Sequence, residues 1–284
     1  RRLGDAAEAL NAAAGGGALI DGKPLLFGVQ ASEKMYLTFQ FEVRNRGGHS
    51  SVPEPDNAIY RLAAGLGRLA AHTFPIEWNE ISRGFFEQSA TAAPPALAAD
   101  MRALVATGDP AAAARLGAAI PFYNAVMRTT CVATRLFAGH ADNALPQLAR
   151  ATVNCRILPG KDPAEVERTL HAVVADTAIR IARVAEPTAS PPSPLTREVL
   201  GSIEELVAEM WPGAAVVPEM STGATDGLYV RNAGIPVYGP SAIFDDPADV
   251  RAHGRDERVG VQAYHDAATF WYRLVKRLAS GTGT

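Results

Sequence analysis

Residues 35–45 read Met-Tyr-Leu-Thr-Phe-Gln-Phe-Glu-Val-Arg-Asn, and the fold of the central part of the chain follows from this stretch. Apolar and polar side chains alternate along it, with β-branched and aromatic residues enriched, which predicts a half-buried β-strand. Asp56-Asn57 then offers a helix N-cap, and apolar residues recur at helical spacing from Ile59 to Ala70. This spacing predicts a helix over 57–71.

The elements downstream complete a recognisable order. They are predicted strands at 131–138 and 149–157, a helix opening at Asp162-Pro163, and a short strand at 178–184. The order β-α-β-β-α-β is that of a ferredoxin-like split arrangement. An Ala/Pro-rich insertion at about 77–125 separates the first helix from the second strand, and its proline pairs predict a short helical excursion.

The Pro-rich stretch Pro187–Pro194 predicts a domain boundary. After it we expect a helix at 195–210, strands at Ala214–Val217 and Ile235–Tyr238, and an amphipathic helix at 261–279. This alternation predicts an α/β domain with a partly parallel sheet, to which a strand near 25–30 would also belong. The predicted domains are therefore 1–33 and 187–284 as parts of one α/β domain, and 34–186 as a second domain that carries the insertion.

Composition is that of an ordinary soluble globular protein. The chain has 284 residues, is 48% hydrophobic and 20% charged, and carries a formal net charge of −3. This balance gives no reason to expect nucleic acid or an anionic membrane as a partner. No apolar run approaches the ~20 residues that a membrane span needs. Arg1-Arg2-Leu3-Gly4-Asp5 is not a signal peptide, and the compartment stays undecided.

Two cysteines, Cys131 and Cys155, fall in the predicted strands on either side of a loop. An antiparallel pairing of those strands would set them nearly opposite each other, which permits a disulfide. Free cysteine packs as a small hydrophobe, so buried reduced thiols are the favoured expectation.

The six histidines are the natural candidates for chemistry, because a hydrolytic zinc site needs three protein ligands per ion and an open position. His49 follows Gly47-Gly48 at the end of a strand, where an imidazole can stabilise an oxyanion or simply face solvent. His253 stands in a polar turn ahead of the last helix, and a metal ligand and a structural residue are equally open interpretations. The other histidines are expected to be structural.

The motifs that carry a resemblance run in order along the whole chain. They are Gly47-Gly48-His49-Ser50-Ser51 with Asn57-Ala58-Ile59, Asn143-Ala144-Leu145-Pro146, Asn154-Cys155-Arg156, Ser221-Thr222-Gly223-Ala224-Thr225-Asp226 with Gly234-Ile235-Pro236, and His253-Gly254-Arg255-Asp256-Glu257-Arg258. Together they resemble the aminoacylase, carboxypeptidase G and succinyl-diaminopimelate desuccinylase family of co-catalytic zinc hydrolases. The resemblance implies a ferredoxin-like lid domain inserted in an α/β zinc-hydrolase domain, which is incomplete in this chain.

The resemblance also implies roles for single residues. His253 would bind one of two zinc ions, and Glu257 would support it. His49 would reach across a homodimer into the partner's site and stabilise the oxyanion. Asn143 and Arg156 would contact the substrate's carboxylate and carbonyl oxygens, for which the planar guanidinium of arginine is suited.

Thr225 and Asp226 would line the pocket wall in the same scheme. The implied activity is zinc-dependent hydrolysis of peptide or N-acyl amide bonds next to a free carboxylate. The implied partners are a small peptide or N-acyl amino acid substrate and a second copy of the chain. That copy would be bound through the lid, with the strand at 35–45 and the helix at 57–71 as the contact surface.

Most of the family's metal ligands are missing from the sequence. The His-x-Asp motif, the bridging Asp and the Glu-Glu pair that precede the lid in the family do not occur before Gly47, and His140-Ala141-Asp142 and Glu204-Glu205 come too late. A carboxylate expected within 10–17 is also absent, since none lies between Glu8 and Asp21. We therefore expect the C-terminal part of an enzyme that is inactive by itself. The alternative is a non-catalytic dimerisation or ligand-binding module with a degenerate metal site.

Overall fold

The structure, a computed structural model, describes residues 6–249 and 251–280. These residues group into two compact units. Unit 1 comprises 1–33, 76–127 and 190–284, and unit 2 comprises 34–75 and 128–189.

The strands and helices of the described residues are numbered in chain order. The strands are β1 (Ala9–Leu10), β2 (Gly16–Ile20), β3 (Lys23–Glu33), β4 (Met35–Arg44), β5 (Gly48–His49), β6 (Thr130–Ala138), β7 (Ala144–Leu145), β8 (Leu148–Ile157), β9 (Arg180–Arg183), β10 (Ala215–Ser221), β11 (Val237–Tyr238) and β12 (Phe244–Asp245). The helices are α1 (Ala58–Ala71), α2 (Glu80–Ala92), α3 (Pro95–Thr107), α4 (Pro110–Ala119), α5 (Pro121–Met127), α6 (Pro163–Val174), α7 (Arg197–Met210), α8 (Gly227–Asn232) and α9 (Val261–Ala279).

Unit 2 is a four-stranded antiparallel sheet with the strand order β6-β8-β4-β9. The predicted strand at 35–45 is confirmed as β4, and its odd-numbered side chains from Met35 to Val43 are buried. The predicted helix cap is confirmed as well, because Asn57 Oδ1 accepts hydrogen bonds from the backbone of Ile59 (2.9 Å) and Tyr60 (3.3 Å). The apolar side of α1 and α6 covers the buried face of the sheet in one hydrophobic core.

Cys131 and Cys155 form a disulfide, so the expectation of reduced thiols is wrong. The two residues are register partners on β6 and β8, which sets their side chains directly opposite each other. The bond ties the edge strand β6 to the interior of the sheet.

Unit 1 contains a second four-stranded sheet, ordered β10-β3-β2-β12. β2 and β3 form an antiparallel hairpin, and β10 runs parallel to β3. The turn residues Asp21 and Gly22 both have positive φ (52° and 73°), as a tight two-residue hairpin turn requires. Phe27 and Val29 of β3 pack with apolar residues of α7 and α9 in a separate core.

The helical insertion forms α2 to α5 and belongs to unit 1, whereas the sequence placed it in the lid domain. Helix α2 packs along β10: Asn79 at its start donates to the sulfur of Met220 (3.4 Å), and a Cβ at Gly84 would lie 3.1 Å from the Pro218 ring. The insertion lies between lid elements in the sequence, which suggested that it belongs to the lid domain. Its packing against β10 instead makes it part of unit 1.

The Pro-rich stretch before α7 is attached to unit 1 and is not a free linker. Buried Ser193 donates its hydroxyl to the carbonyl of Val237 (2.8 Å) and accepts from the Val237 N–H (2.8 Å). Its own N–H donates to the carbonyl of Ala31 (2.7 Å). Among the helices that the structure describes, none combines the length and the apolar character that a bilayer crossing demands.

Candidate functional site

His49 lies on a two-stranded sheet of unit 2 in which β5 pairs with β7. Gly47 has φ +77°, and a Cβ there would lie 2.7 Å from the Gln147 side chain, so this approach to the sheet requires glycine. The exposed imidazole accepts from the Ser51 N–H at Nδ1 (3.2 Å), and the Ser51 hydroxyl lies 2.7 Å from the same nitrogen. Since a backbone N–H only donates, Nδ1 is the acceptor, and the neutral ring carries its proton on Nε2.

Asn143 is brought close to His49 by the same short sheet. His49 is the register partner of Ala144, and the N–H of Ser50 donates to the carbonyl of Asn143 (2.9 Å). Two residues that the sequence proposed for the site, far apart along the chain, therefore stand side by side.

Arg156 lies on β8, within a cationic surface of unit 2. Its Nε donates to Asn154 Oδ1 (2.9 Å), and its guanidinium lies 4.6 Å from the centre of the Tyr36 ring. Partial burial lowers the pKa of this guanidinium. No ion pair with a carboxylate is found for Arg156 within the described part of the chain, and its role as an anion-binding residue stays a prediction.

Lys34 is a member of this region that the sequence analysis missed. Its side chain is only 1% exposed, and Nζ donates to the carbonyl of Arg128 (2.5 Å). Burial, together with the charges of Arg156 and Arg128, lowers the pKa of Lys34 to about 7. The position of Lys34 directly before the apolar strand β4 could have indicated in the sequence that this side chain is buried.

Thr225 and Asp226 directly precede α8 in unit 1, with Asp226 at its N-cap position. Both line a cavity of about 410 Å³ together with Asn11, Ala13 and Tyr229. Thr225 is held from behind by Glu33: its N–H and its hydroxyl both donate to Glu33 Oε2, at 3.0 and 2.6 Å. Asp226 is exposed.

Glu33 forms a buried ion pair that the sequence analysis also missed. Arg231 Nη2 lies 3.1 Å from Glu33 Oε2, and both side chains are 2% exposed. Gln30 Nε2 donates to the same oxygen (3.1 Å). One carboxylate oxygen of Glu33 thus fixes the loop that carries Thr225. The position of Glu33 at the end of an apolar strand could have indicated in the sequence that this charge is buried.

His253 and Glu257 lie in the exposed segment before α9. His253 has a left-handed backbone (φ 62°), and Glu257 lines a cavity of about 340 Å³ with Asp245, Asp249 and Arg258. No hydrogen bond joins Glu257 to His253 among the residues described, so the supporting role of Glu257 stays a prediction.

The residues present do not by themselves fit a zinc site. Within 6–249 and 251–280, no group of three or more His, Cys, Asp and Glu side chains could hold a metal ion. In the segment where the family carries a carboxylate, Ala14 is buried, and a Cβ at Gly239 would lie only 2.4 Å from the Ala14 Cβ. Ala14 thus packs closely against Gly239, and its methyl group supplies no metal ligand.

The two late motifs that resembled metal-binding motifs are not part of any metal site within the described residues. His140 and Asp142 lie in an exposed turn between β6 and β7. Glu205 lies on the surface of α7 and pairs with Arg277 (3.1 Å).

The fold is a mixed α/β fold with several sheets, and its relatives include metallopeptidases. Residues 31–182, more than half of the chain, match the Peptidase dimerisation domain of the M20 type. The chain therefore belongs to the M20 family of metallopeptidases.

Two curated relatives show the range of the similarity. The chain is 29% identical over 268 residues to the N-fatty-acyl-amino acid synthase/hydrolase PM20D1 of Homo sapiens, which covers 89% of this chain and 51% of that protein. It is 26% identical over 255 residues to the probable carboxypeptidase S-like 2 of Dictyostelium discoideum, with 87% and 48% covered. The chain thus spans about half the length of the curated relatives it matches.

Solved structures show the same fold at lower sequence identity. The M20 family metallo-carboxypeptidase Sso-CP2 from Sulfolobus solfataricus aligns with a TM-score of 0.59 and 18% identity, over 92% of this chain and 62% of that one. AtUAH in complex with (S)-hydroxyglycine aligns with a TM-score of 0.54 and 13% identity, over 89% and 49%.

Proposed function

We propose that this chain is the C-terminal part of a hydrolase of peptide or N-acyl amide bonds that lie next to a free carboxylate. Its membership of the M20 family supports this class of reaction. The names of two relatives, an N-fatty-acyl-amino acid synthase/hydrolase and a probable carboxypeptidase S-like protein, fit a reaction of this kind. Since those relatives are about twice as long, the proposed activity belongs to a longer protein.

The observation that carries the proposal is that the chain at Asn143 lies next to His49. His49 is the register partner of Ala144, the Ser50 N–H donates to the carbonyl of Asn143 (2.9 Å), and Nδ1 of His49 accepts from the Ser51 N–H (3.2 Å). The Nε2 N–H is then the donor that could stabilise a developing oxyanion, an interaction that is commonly among the largest contributions to hydrolysis of this type. Asn143 and Arg156 would contact the carbonyl and carboxylate oxygens of the substrate.

In unit 2 we propose a ferredoxin-like lid. The order β4-α1-β6-β8-α6-β9 is β-α-β-β-α-β, and in the sheet the last strand lies beside the first and the third beside the second. This arrangement supports the split βαβ topology.

The lid would also form a homodimer, through the outer edge of β6. As an edge strand, β6 has backbone groups that a second copy could pair with, and Val132, Leu136 and Phe137 are 59–67% exposed on it. The surface expected at 35–45 would not contribute by edge pairing, because β4 lies between β8 and β9 in the sheet. Helix α1, with Tyr60 70% exposed, remains part of the proposed surface.

The dimer is tested by replacing Leu136 and Phe137 with lysine. A pair of charges on an exposed apolar edge should block its pairing with a second copy. Sedimentation of the original chain at micromolar concentration should give a dimer, and the double variant a monomer. Val261→Lys, an equally exposed apolar residue on α9, is the matched control and should remain dimeric. A monomeric original chain contradicts the proposal.

His253 would be the one zinc ligand that this chain supplies, and Glu257 would support it. Thr225 and Asp226 would line the substrate pocket. No step of the reaction is assigned to the metal, since the described residues do not supply a complete set of ligands. The metal-dependent form is therefore proposed for a chain extended by a family-type N-terminal segment that restores the missing ligands.

The extended protein tests the activity. It should hydrolyse N-acyl amino acids or dipeptides and be slow on the same compounds with an amidated carboxyl. His49→Ala should lower kcat by about 10²–10³ with little change in KM, because the oxyanion contact forms in the transition state. His171→Ala, an exposed histidine on α6, should leave kcat unchanged. Absence of metal-dependent hydrolysis of all such substrates contradicts the proposal.

Action across the dimer has its own test. Co-expression of His49→Ala with His253→Ala gives heterodimers in which one of the composite sites keeps both histidines, if His49 acts in trans. Activity should then reappear, although each variant alone is nearly inactive. If His49 acts within its own subunit, every site lacks one histidine and the mixture stays as inactive as its components.

One observation favours a second candidate, a non-catalytic dimerisation or ligand-binding module. The buried Ala14 stands in the segment where a metal-binding carboxylate is expected, and the sequence has no carboxylate between Glu8 and Asp21. Metal analysis of the extended protein separates the two candidates: about two tightly held zinc ions per chain support the hydrolase, and none supports the module.

A further inference from the structure

A cavity of about 150 Å³ lies within unit 1, and it shares Asp245 with the cavity that Glu257 lines. Its base is formed by β2, β3 and β10, and one wall is aromatic. The lining includes Gly28, Phe85, Phe122, Tyr123 and Glu219. A space of this size accommodates a benzene-sized group.

The base of the cavity carries a carboxyl group, that of Glu219, which rests on bare backbone. A Cβ at Gly28 would lie 2.1 Å from Glu219 Oε2, so only glycine permits this position of the carboxyl group. No side-chain hydrogen bond or ion pair of Glu219 is found in the part of the chain that the structure describes. Burial raises the pKa of Glu219 to about 7, which reflects the missing compensation for its charge.

The walls favour a cation with an apolar body. The rings of Phe85, Phe122 and Tyr123 lie in mutual contact, with centroids 5.8 to 6.3 Å apart, and aromatic faces attract cations. Leu26 and Val217 add apolar surface. Asp245, whose pKa is also raised by burial, and Asp246 add negative charge at the same cavity.

We propose that this cavity binds an organic ammonium group attached to a small aromatic or aliphatic body. The ammonium would pair with the Glu219 carboxylate over Gly28, and the body would fill the space against the aromatic wall. An anion is disfavoured because three carboxyl groups line the cavity. A bare metal ion is disfavoured because these groups do not form a metal-binding cluster among the described residues.

Calorimetric titration of the chain with benzylamine tests the site, with benzyl alcohol as the neutral probe of the same shape. At about pH 8, where Glu219 is mostly ionised, benzylamine should bind at least about tenfold more tightly than benzyl alcohol. Near pH 6, below the raised pKa of Glu219, the preference should shrink, because protonation of this carboxylate removes its negative charge from the cavity.

Glu219→Gln keeps the volume and removes the charge, so it should abolish the preference for the amine. Glu87→Gln makes the same change on the exposed side of α2 and should leave both affinities unchanged. Because Glu219→Gln removes a buried charge, a folding failure is not expected, and a thermal melt of the variant verifies this. Equal affinity for the amine and the alcohol, an unchanged preference in Glu219→Gln, or no binding of either probe overturns the proposal.

Discussion

The buried pair of Glu33 and Arg231 is the strongest constraint on any single residue of the candidate site. Both side chains are 2% exposed, and the carboxylate also accepts from Thr225. When one partner of a buried pair is removed, the other stays in the protein interior as an uncompensated charge. The loop that carries Thr225 and Asp226 therefore depends on a residue that touches no ligand itself.

Glu33→Gln should lower the free energy of unfolding by about 3–5 kcal/mol, since Arg231 then remains buried without a counter-charge. Urea unfolding followed by tryptophan fluorescence measures this. Glu87→Gln, which breaks the exposed pair with Arg83, is the control and should change the free energy by less than about 0.5 kcal/mol. Equal effects of the two substitutions contradict the assignment.

Lys34 should give the stability an unusual pH dependence. Its folded pKa of about 7 is below the ordinary lysine value of 10.5, so between these values the unfolded chain binds one more proton than the folded protein. Stability contributed by this group therefore rises with pH above about 7, by at most about 1.4 kcal/mol per unit. In Lys34→Met this contribution is absent. The unfolding free energy of the original chain should therefore rise relative to that of the variant between about pH 7 and 9. A constant difference over that range contradicts the lowered pKa.

Short motifs indicated the candidate site residues, whereas the buried residues that hold them in place were not predictable from the sequence. His49 and Asn143 lie in Gly-rich or turn-like stretches whose residue order is informative by itself. Glu33 and Lys34 follow one another in the sequence, yet one pairs with Arg231 and the other with Arg128. Such long-range partners depend on tertiary packing, which local patterns do not encode.

Among the secondary-structure elements, the edge strand β6 depends on its connection to β8. The disulfide of Cys131 and Cys155 closes a separation of 24 residues. In the chain-entropy description, a loop of this length stabilises the folded state by about 3 kcal/mol. The proposed dimer edge is thus held in the sheet by a covalent bond as well as by the backbone ladder.

Cys131→Ser with Cys155→Ser should lower the unfolding free energy of unit 2 by about 2–4 kcal/mol. Urea unfolding of the original chain with a thiol reductant should show a similar loss. The double variant is its own control, because the reductant should not change it further. If the reductant leaves the original chain unaffected, the disulfide is not formed in solution.

Strands and helices with a clear hydrophobic periodicity were predictable from the sequence. The element against which each of them packs was less predictable. The alternation of 35–45 and the helical spacing of α1 correspond to β4 and α1 within a residue or two. The insertion was correctly predicted as helical, but its four helices belong to unit 1. The apolar residues of the insertion could pack against either unit. Their contact with β10 depends on tertiary structure, which the local sequence does not reveal.

Two of the hydrophobic cores among the described residues, one in each unit, share no residue. One packs β4, β8, α1 and α6, and the other packs β3, α7 and α9. The disulfide lies in unit 2 alone. Separate cores predict that the units need not unfold together.

We therefore expect calorimetry to show unfolding that departs from a single two-state transition, with a van 't Hoff enthalpy below the calorimetric one. Reduction of the disulfide should lower the midpoint of only one transition, and that transition then belongs to unit 2. Glu33→Gln should lower the other, because the pair of Glu33 with Arg231 lies in unit 1. If both changes shift one common transition with equal enthalpies, the two cores unfold as one cooperative structure, and the independence of the units is wrong.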